Sequence, residues 1–297
     1  MQSLETGSVS WLVMADKLTI IIVALIGGKA LKVCAKAAAS QCANVLLVQR
    51  DGAITDPNGE VAGSSDRLDI PMKRKAAIQF ASTELVALLE DTVVPSGGWA
   101  AAATAAFASQ RVVAAGGPVA IERSLPAASR ALALSEYGVF NFADVTTAPA
   151  KLPGCNFAFR RIAVLEAMRE SDGFVDQTVF ENLQAAGGEL SWSSGMQVSF
   201  VHANPAGARL GTRFHHGRIY ASTEAHDAGP ARRLVRASKA LLLPPVLTLR
   251  GLQHATADDW RSPATLGWLA LQQTAWAAGE LVGAALGPSR KGLAQWH

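Results

Sequence analysis

Cysteine, charge and long apolar runs are all scarce in this chain of 297 residues. Cysteine occurs three times, as Cys34, Cys42 and Cys155, an odd number with no Cys-x-x-Cys pair. A disulfide framework or a cysteine-based zinc site is therefore not expected, and a reducing compartment fits. Charged residues make up 17% of the chain and hydrophobic ones 49%. Intrinsic disorder needs the opposite balance and is excluded. The 27 basic residues exceed the 24 acidic ones by only three, too small a surplus to argue for a nucleic-acid partner. No uncharged, strongly apolar stretch reaches the roughly 18 residues of a spanning helix. The N-terminus lacks a signal-peptide layout, because Asp16 and Lys17 interrupt its apolar residues. Glycine and proline show no repeat, so fibrous classes are out. A GxGxxG turn and a GxSxG elbow are both missing, which disfavours a nicotinamide enzyme and an α/β-hydrolase.

What is present is an alternation of strand-like and helix-like segments after a variable lead-in, residues 1–16. Leu18 to Ile26 is an apolar, β-branched run of the kind that forms a strand buried on both faces. A helix is expected over 29–43, a strand over 44–48, and a loop over the Gly-, Asp- and Ser-rich segment 51–66. A helix over 73–82, a strand over 85–89, a helix over 99–110 and a strand over 112–119 continue the pattern. The signal weakens over 121–150. Beyond it come a Pro-Gly turn at 153–154, helices near 162–169 and 177–186, and a strand near 196–202. A mostly apolar helix is expected over 264–286. The fold class this implies is α/β, a mixed sheet flanked by helices, with a helical, partly apolar C-terminal extension. The division expected is 17–227 for the α/β domain and 228–297 for the extension.

Three segments could carry chemistry. In ELVALLEDTVVP (84–95) a buried strand delivers Glu90 and Asp91 to its C-terminal end, where open α/β sheets bind ligands. Adjacent acids repel unless a cation or proton intervenes, so a divalent metal is a natural partner. The plainer alternative is a pair of capping acids for the next helix. In GFVDQTVFENLQAAGGEL (173–190), Asp176 precedes a helix that ends in two glycines. It reads as an N-cap accepting from Thr178 or Val179, or as a general base at a cleft. LPGCNFAFRR (152–161) sets a Pro-Gly turn, Asn156, Arg160 and Arg161 ahead of a helix. Among the histidines, His202, His215 and His216 read first as packed or hydrogen-bonded residues, with His202 the best placed for a metal or phosphate.

These segments, in this order, resemble glycosyltransferase family 2, the inverting sugar-nucleotide transferases of the GT-A fold. The similarity covers about residues 17–222. DIPMKRKAAIQFASTELVALLEDTVVPSGGW (69–99) is similar to the family's stretch of helix, strand and acidic metal motif. LPGCNFAFRR is similar to its acceptor-side loop, and VDQTVFENLQAAGGEL to its "ED" segment. The resemblance implies a nucleotide-diphosphate sugar donor and a saccharide or lipid-linked acceptor. It implies Asp51, Arg74, Glu90 and Asp91 at the donor, and Gly154, Asn156 and Arg160 on the acceptor side. Glu90, Asp91 and His202 would hold Mg or Mn, and Asp176 would be the catalytic base. The chain departs from the pattern in three places. ALIGG ends the first strand instead of Pro-x-x-Asn, the metal motif reads Glu90-Asp91-Thr92 instead of Asp-x-Asp, and Val175 replaces the Glu of "ED". These losses motivate a second reading, a weak or inactive GT-A-like nucleotide-binding protein.

Outside the resemblance, Arg232, Arg233, Arg236 and Lys239 precede LLLPPVLTL, where Pro244 and Pro245 forbid a continuous helix. This segment reads either as a helical cover for the core or as an interfacial element on an anionic membrane surface. The location expected is cytoplasmic, with peripheral contact at the cytoplasmic face of the plasma membrane.

Overall fold

The computed structural model describes residues 17–65, 69–141, 151–171, 173–201, 206–224 and 229–287. The lead-in 1–16 and His202 lie outside them. The chain divides into two units, one of Met1–Ala120 with Phe142–Val201 and one of Ile121–Asn141 with His202–His297.

In chain order, β1 (Leu18–Val23) is followed by α1 (Gly28–Ala39), β2 (Asn44–Val48), β3 (Ala53–Thr55), β4 (Val61–Ser64) and α2 (Ile70–Phe80). Next come β5 (Leu85–Glu90), β6 (Val93–Pro95), α3 (Trp99–Ala105), β7 (Val112–Gly116), β8 (Val119–Ile121) and α4 (Ala127–Tyr137). Then follow β9 (Asn156–Arg160), α5 (Arg161–Ala167), α6 (Asp176–Ala185), β10 (Glu189–Trp192) and β11 (Val198–Phe200). The C-terminal helices are α7 (Ala206–Glu224), α8 (Pro230–Ala240), α9 (Leu243–Leu252), α10 (Ala257–Trp260) and α11 (Pro263–Leu286).

The first unit is built on an eight-stranded mixed sheet in the order β10-β7-β9-β5-β1-β2-β3-β4, with a small sheet β6-β11-β8 beside it. The expected fold class, a mixed α/β sheet with flanking helices and a helical C-terminal part, is what the chain adopts. β1 and β5 are buried at every position, as their unbroken apolar runs require of central strands covered on both faces. Both run parallel, and β2 is parallel on the other side of β1. Their register sets Val23 opposite both Val48 and Glu90, while antiparallel β9 sets Asn156 opposite Leu89. One row across the sheet thus brings together the carboxyl ends of three strands and the start of a fourth.

α2 begins at a clear signal. Asp69 caps it, accepting from the Met72 amide at 3.0 Å, and Pro71 sits in the first turn where its missing N–H costs nothing. Its buried residues are Ile70, Lys73, Arg74, Ala77 and Ile78, one helical face that carries two cations among aliphatic side chains. Long cations are seldom buried without partners, so this face points to a polar site.

Several local expectations change. The expected loop 51–66 contains the hairpin β3–β4, whose turn is held by Asp56 accepting from the Asn58 and Glu60 amides. Its strands, of three and four residues, are too short to show the alternation that marks a strand in sequence. The single strand expected over 112–119 is two strands in different sheets. A Cβ at Gly117 would lie 2.5 Å from the Met196 carbonyl oxygen, and the chain crosses there from one sheet to the other. β9 was hidden in what reads as a loop before a helix, because Asn156–Phe159 is buried on both faces and does not alternate.

The second unit is helical. α7 and α11 pack almost backbone to backbone, because a Cβ at Gly279 would collide with the Phe214 carbonyl and one at Gly283 with that of Arg218. Gln272 of α11 donates to the Ala128 carbonyl of α4 at 2.9 Å. Residues 121–141 and α7 group with the C-terminal helices, α4 and α7 burying their inner faces against α11, whereas the sequence sets the division at residue 227. Pro244 and Pro245 do interrupt the helix, as expected, and open α9.

Candidate functional site

Arg74 is the centre of the row at the sheet's rim. Its Nη2 donates to Glu90 Oε1 at 2.7 Å and its Nη1 to Asp176 Oδ1 at 2.7 Å. Glu90 lies 16 residues along the chain from Arg74 and Asp176 lies 102, so only folding makes them neighbours. The side chains of Arg74 and Glu90 are 9% and 11% exposed, and that of Asp176 is 32% exposed. The Asp176 carboxylate is therefore the member of the trio that solvent or a ligand can reach.

The approach of Asp176 is engineered locally. The Phe174 amide donates to the Pro71 carbonyl at 2.8 Å, tying the segment ahead of α6 to the first turn of α2. Gly173 is needed there, since a Cβ would lie 2.7 Å from that of Pro71. The Phe174 ring stacks on Phe157 at 5.7 Å, meets Phe159 edge-on at 5.5 Å, and lies 5.8 Å from the Arg74 guanidinium carbon. Lys75, one residue beyond Arg74, donates to the Met168 and Ser171 carbonyls. Gly154 completes the cradle. A Cβ on it would lie 2.5 Å from Asp176 Oδ2, so glycine alone leaves the carboxylate its position. Asp176 opens α6 without capping it, so the N-cap reading does not hold. Burial pushes its carboxyl up from the ordinary 3.8, and the Arg74 guanidinium pulls it back.

Asp91 faces the other way. Its Oδ1 accepts from the Leu25 and Ile26 amides at 3.0 and 3.2 Å, and its Oδ2 from Ile26 and Gly27 at 3.1 and 2.6 Å. Gly27 and Gly28, with φ of 78° and 57°, turn those amides inward, which explains the glycine pair after β1. Burial raises the Asp91 carboxyl, and the three amides lower it. The expected pairing of Asp91 with Glu90 on a cation is thus corrected. Both Asp91 oxygens are spent on the loop, and neither acid caps the next helix. Burial also pushes the neighbouring Cys34 thiol up to about 12, with Asp91 adding to the effect, so Cys34 is a core residue and not a nucleophile. Among the described residues no three His, Cys, Asp or Glu side chains gather as a metal site.

Asp51 sits in the exposed β2–β3 turn, where Oδ1 accepts from the Ala53 amide at 3.0 Å. The Lys73 ammonium donates to the neighbouring Arg50 carbonyl at 2.6 Å. Burial lowers the pKa of Lys73, and Asp51 acts against that. Asp51 therefore neighbours the row without joining the Arg74 cluster.

Two of the expected acceptor-side residues are scaffold. Asn156 is wholly buried, with Oδ1 accepting from Trp99 Nε1 at 2.9 Å and Nδ2 donating to the Gly117, Pro118 and Met196 carbonyls. It knots the small sheet to the large one and has no capacity left for a ligand. Arg160 lies opposite Leu85, at the far end of β5 from Glu90. There it holds Glu84 and the Phe107, Ser109 and Val112 carbonyls, so its placement at the site is corrected. His215 and His216 lie on α7, in the second unit. Trp99, Gly173 and Phe174 escaped the sequence reading. The aromatic just ahead of Asp176 was the one available signal for them.

No family model matches the chain, and no curated protein matches it. Among solved structures it is similar to the mannosyltransferase PcManGT from Pyrobaculum calidifontis in complex with GDP-Man and Mn2+. The identity is 14% and the TM-score 0.49, over 88% of this chain and 85% of that one.

Proposed function

We propose that the first unit is a glycosyltransferase of GT-A type, moving a sugar from a nucleotide-diphosphate sugar to an acceptor hydroxyl with inversion. The observation that carries this is the convergence of Glu90 and Asp176 on Arg74 at the carboxyl ends of β1, β2 and β5, where open α/β sheets take ligands. It joins the acidic segment after β5 to the Asp segment before α6, the two motifs on which the family resemblance rests.

In this reading Asp176 accepts the proton of the acceptor hydroxyl at its carboxylate. The hydroxyl oxygen bonds to the anomeric carbon from the face opposite the leaving diphosphate, and the bond from that carbon to the diphosphate oxygen breaks with its electron pair leaving on the nucleoside diphosphate. Arg74 provides a fixed positive charge beside the acids, stabilising the charge that builds on the leaving group. Its guanidinium also pulls the Asp176 carboxyl down against the rise that burial causes, which favours the base form. Gly154 and Phe174 orient the base by leaving room for it and by anchoring its segment. Asp51, exposed at the β2–β3 turn, is the candidate for contacting the nucleoside.

Of the described residues expected for Mg or Mn, Glu90 is the one in the Arg74 cluster, its Oε1 accepting from Arg74 and its Oε2 from Thr92. Glu90 would hold the cation with the donor's phosphates completing its shell, an arrangement usual for magnesium. The cation, when bound, offsets charge on the diphosphate. The acceptor in this reading is a saccharide or lipid-linked molecule, and the protein works at the cytoplasmic face of the membrane.

A second reading is favoured by Asp91 being consumed in the β1 loop. It makes the chain a nucleotide-binding protein with weak or no transfer. Assays with several nucleotide sugars, with and without Mn2+, separate the two. For the leading reading, Asp176→Asn is expected to lower transfer by about 10²- to 10⁴-fold while nucleotide diphosphates still raise the melting temperature. Transfer near the unmodified rate would remove Asp176 from the base role.

A further inference from the structure

Helices α8 and α9 carry a surface that neither the packing of the second unit nor the proposed transfer uses. Between Gly229 and Ala257 the sequence holds Arg232, Arg233, Arg236, Lys239 and Arg250 and no acidic residue. α8 buries Ala237 and Ala240 against its own unit. Along the two helices Leu234, Val235, Leu241, Leu242, Val246 and Leu249 are each between 41% and 72% exposed.

The spacing makes this a stripe. Leu234 and Leu241 are seven residues apart, as are Val235 and Leu242, two helical turns that return each pair to one face. Leu241 and Leu242 keep right-handed helical dihedrals between the two helices, so the stripe continues through Val246 and Leu249. Arg232 and Lys239, again seven apart and exposed, run along its edge, and exposed Arg250 stands beyond its end. Contiguous exposed aliphatic side chains mark an interaction surface. No helix among the described residues is long and apolar enough to cross a membrane, so a membrane-bound form of this surface lies on the bilayer.

We propose that the α8–α9 face docks on an anionic lipid bilayer, with the aliphatic stripe entering the headgroup boundary and the basic edge meeting lipid phosphates. The alternative occupant, a second copy of this chain, is disfavoured by charge. A two-fold pairing of identical stripes would bring Arg232 and Lys239 of each copy towards those of the other with no acid between. Anionic headgroups complement the same edge.

The test is sedimentation of the full chain with vesicles of phosphatidylcholine, alone and doped with phosphatidylglycerol. Partition onto the doped vesicles is expected to be about tenfold greater or more, and to weaken with salt. The double variant Leu241→Asp/Leu242→Asp and the double variant Arg232→Glu/Lys239→Glu are each expected to return the protein to the supernatant. All four positions are exposed, and circular dichroism melting checks that both variants stay folded. Nucleotide-diphosphate binding, read by thermal shift, should be unchanged in both, so failure here is separate from failure of the transferase reading. Equal recovery with and without vesicles overturns the proposal. So does binding that survives either variant, or a dimer in light scattering that Leu241→Asp dissociates with no vesicle binding by either form.

Discussion

Each unit buries an arginine against carboxylates, and the two arrangements differ in what they leave open. In the second unit Arg130 meets Asp259 through Nε and, at 2.9 Å, through Nη2, while Thr256 donates to the same carboxylate from its amide and hydroxyl. The Asp259 side chain has no exposure, and its acceptors are filled. In the first unit Arg74 divides its fork between Glu90 and Asp176, and Asp176 remains 32% exposed. The titration directions separate them too. Burial acts to raise both acids, but at Asp259 the bonds from Arg130 and Thr256 win and the carboxyl is held below its ordinary value. At Asp176 burial wins and the carboxyl is raised. A closed pair fastens helices, whereas a pair with one reachable, raised acid at the strand ends can exchange a proton.

The sharpest way to break this contrast is to delete each arginine. Arg130→Ala and Arg74→Ala should each cost about 3–5 kcal/mol in denaturant unfolding, because each strands a buried charge. Only Arg74→Ala should also lose nucleotide-diphosphate binding, read by titration below the melting point. Loss of binding in folded Arg130→Ala would erase the distinction. Gly154→Ala comes next. Its Cβ would displace Asp176 Oδ2, so transfer should fall at a stability cost of about 1–3 kcal/mol, measured by paired rate and melting curves.

A smaller effect is carried by pH. A base works deprotonated, so transfer should fall as pH drops through the Asp176 value, placing the acid limb of the rate profile above 3.8. Arg74→Gln removes the pull that lowers this value, and the limb should move to higher pH. The sign is opposite at Asp259, whose lowered carboxyl contributes stability above its unfolded value that is lost as pH falls through the folded one. Unfolding midpoints measured against pH would show it. The mildest change is Asp51→Ala, an exposed turn residue. Stability should move by less than about 0.5 kcal/mol, while donor affinity, measured by titration, falls if Asp51 meets the nucleoside.

Much of the sheet was legible because central strands must be apolar on both faces. β1, β2 and β5 stood out as runs and α6 by its end signals, while α2, expected over 73–82, begins earlier, at Ile70 behind the Asp69 cap. The hairpin β3–β4 was missed because its strands are too short to alternate, whereas strand β9 and helices α4 and α7 were missed for another reason. Their residues are explained by partners far along the chain: Asn156 by Trp99 and Met196, and Gly279 and Gly283 of α11 by the backbone of α7. The candidate site was legible as a set of residue types, through Arg74, Glu90, Gly154 and Asp176. Which of the paired acids Glu90 and Asp91 faces the site was not, because strand alternation sends neighbours to opposite sides and the deciding amides belong to the loop after β1.

The order of apolar runs and helix signals was enough to determine an α/β sheet whose acids sit at a strand's end, since periodicity and burial are local demands. Tertiary structure decided which acid reaches Arg74, which turns away to the loop amides, and that Arg160 stands at the wrong end of the sheet to join them. Those outcomes depend on register and on close backbone approach at Gly154 and Gly173, and such long-range geometry leaves no trace in local spacing.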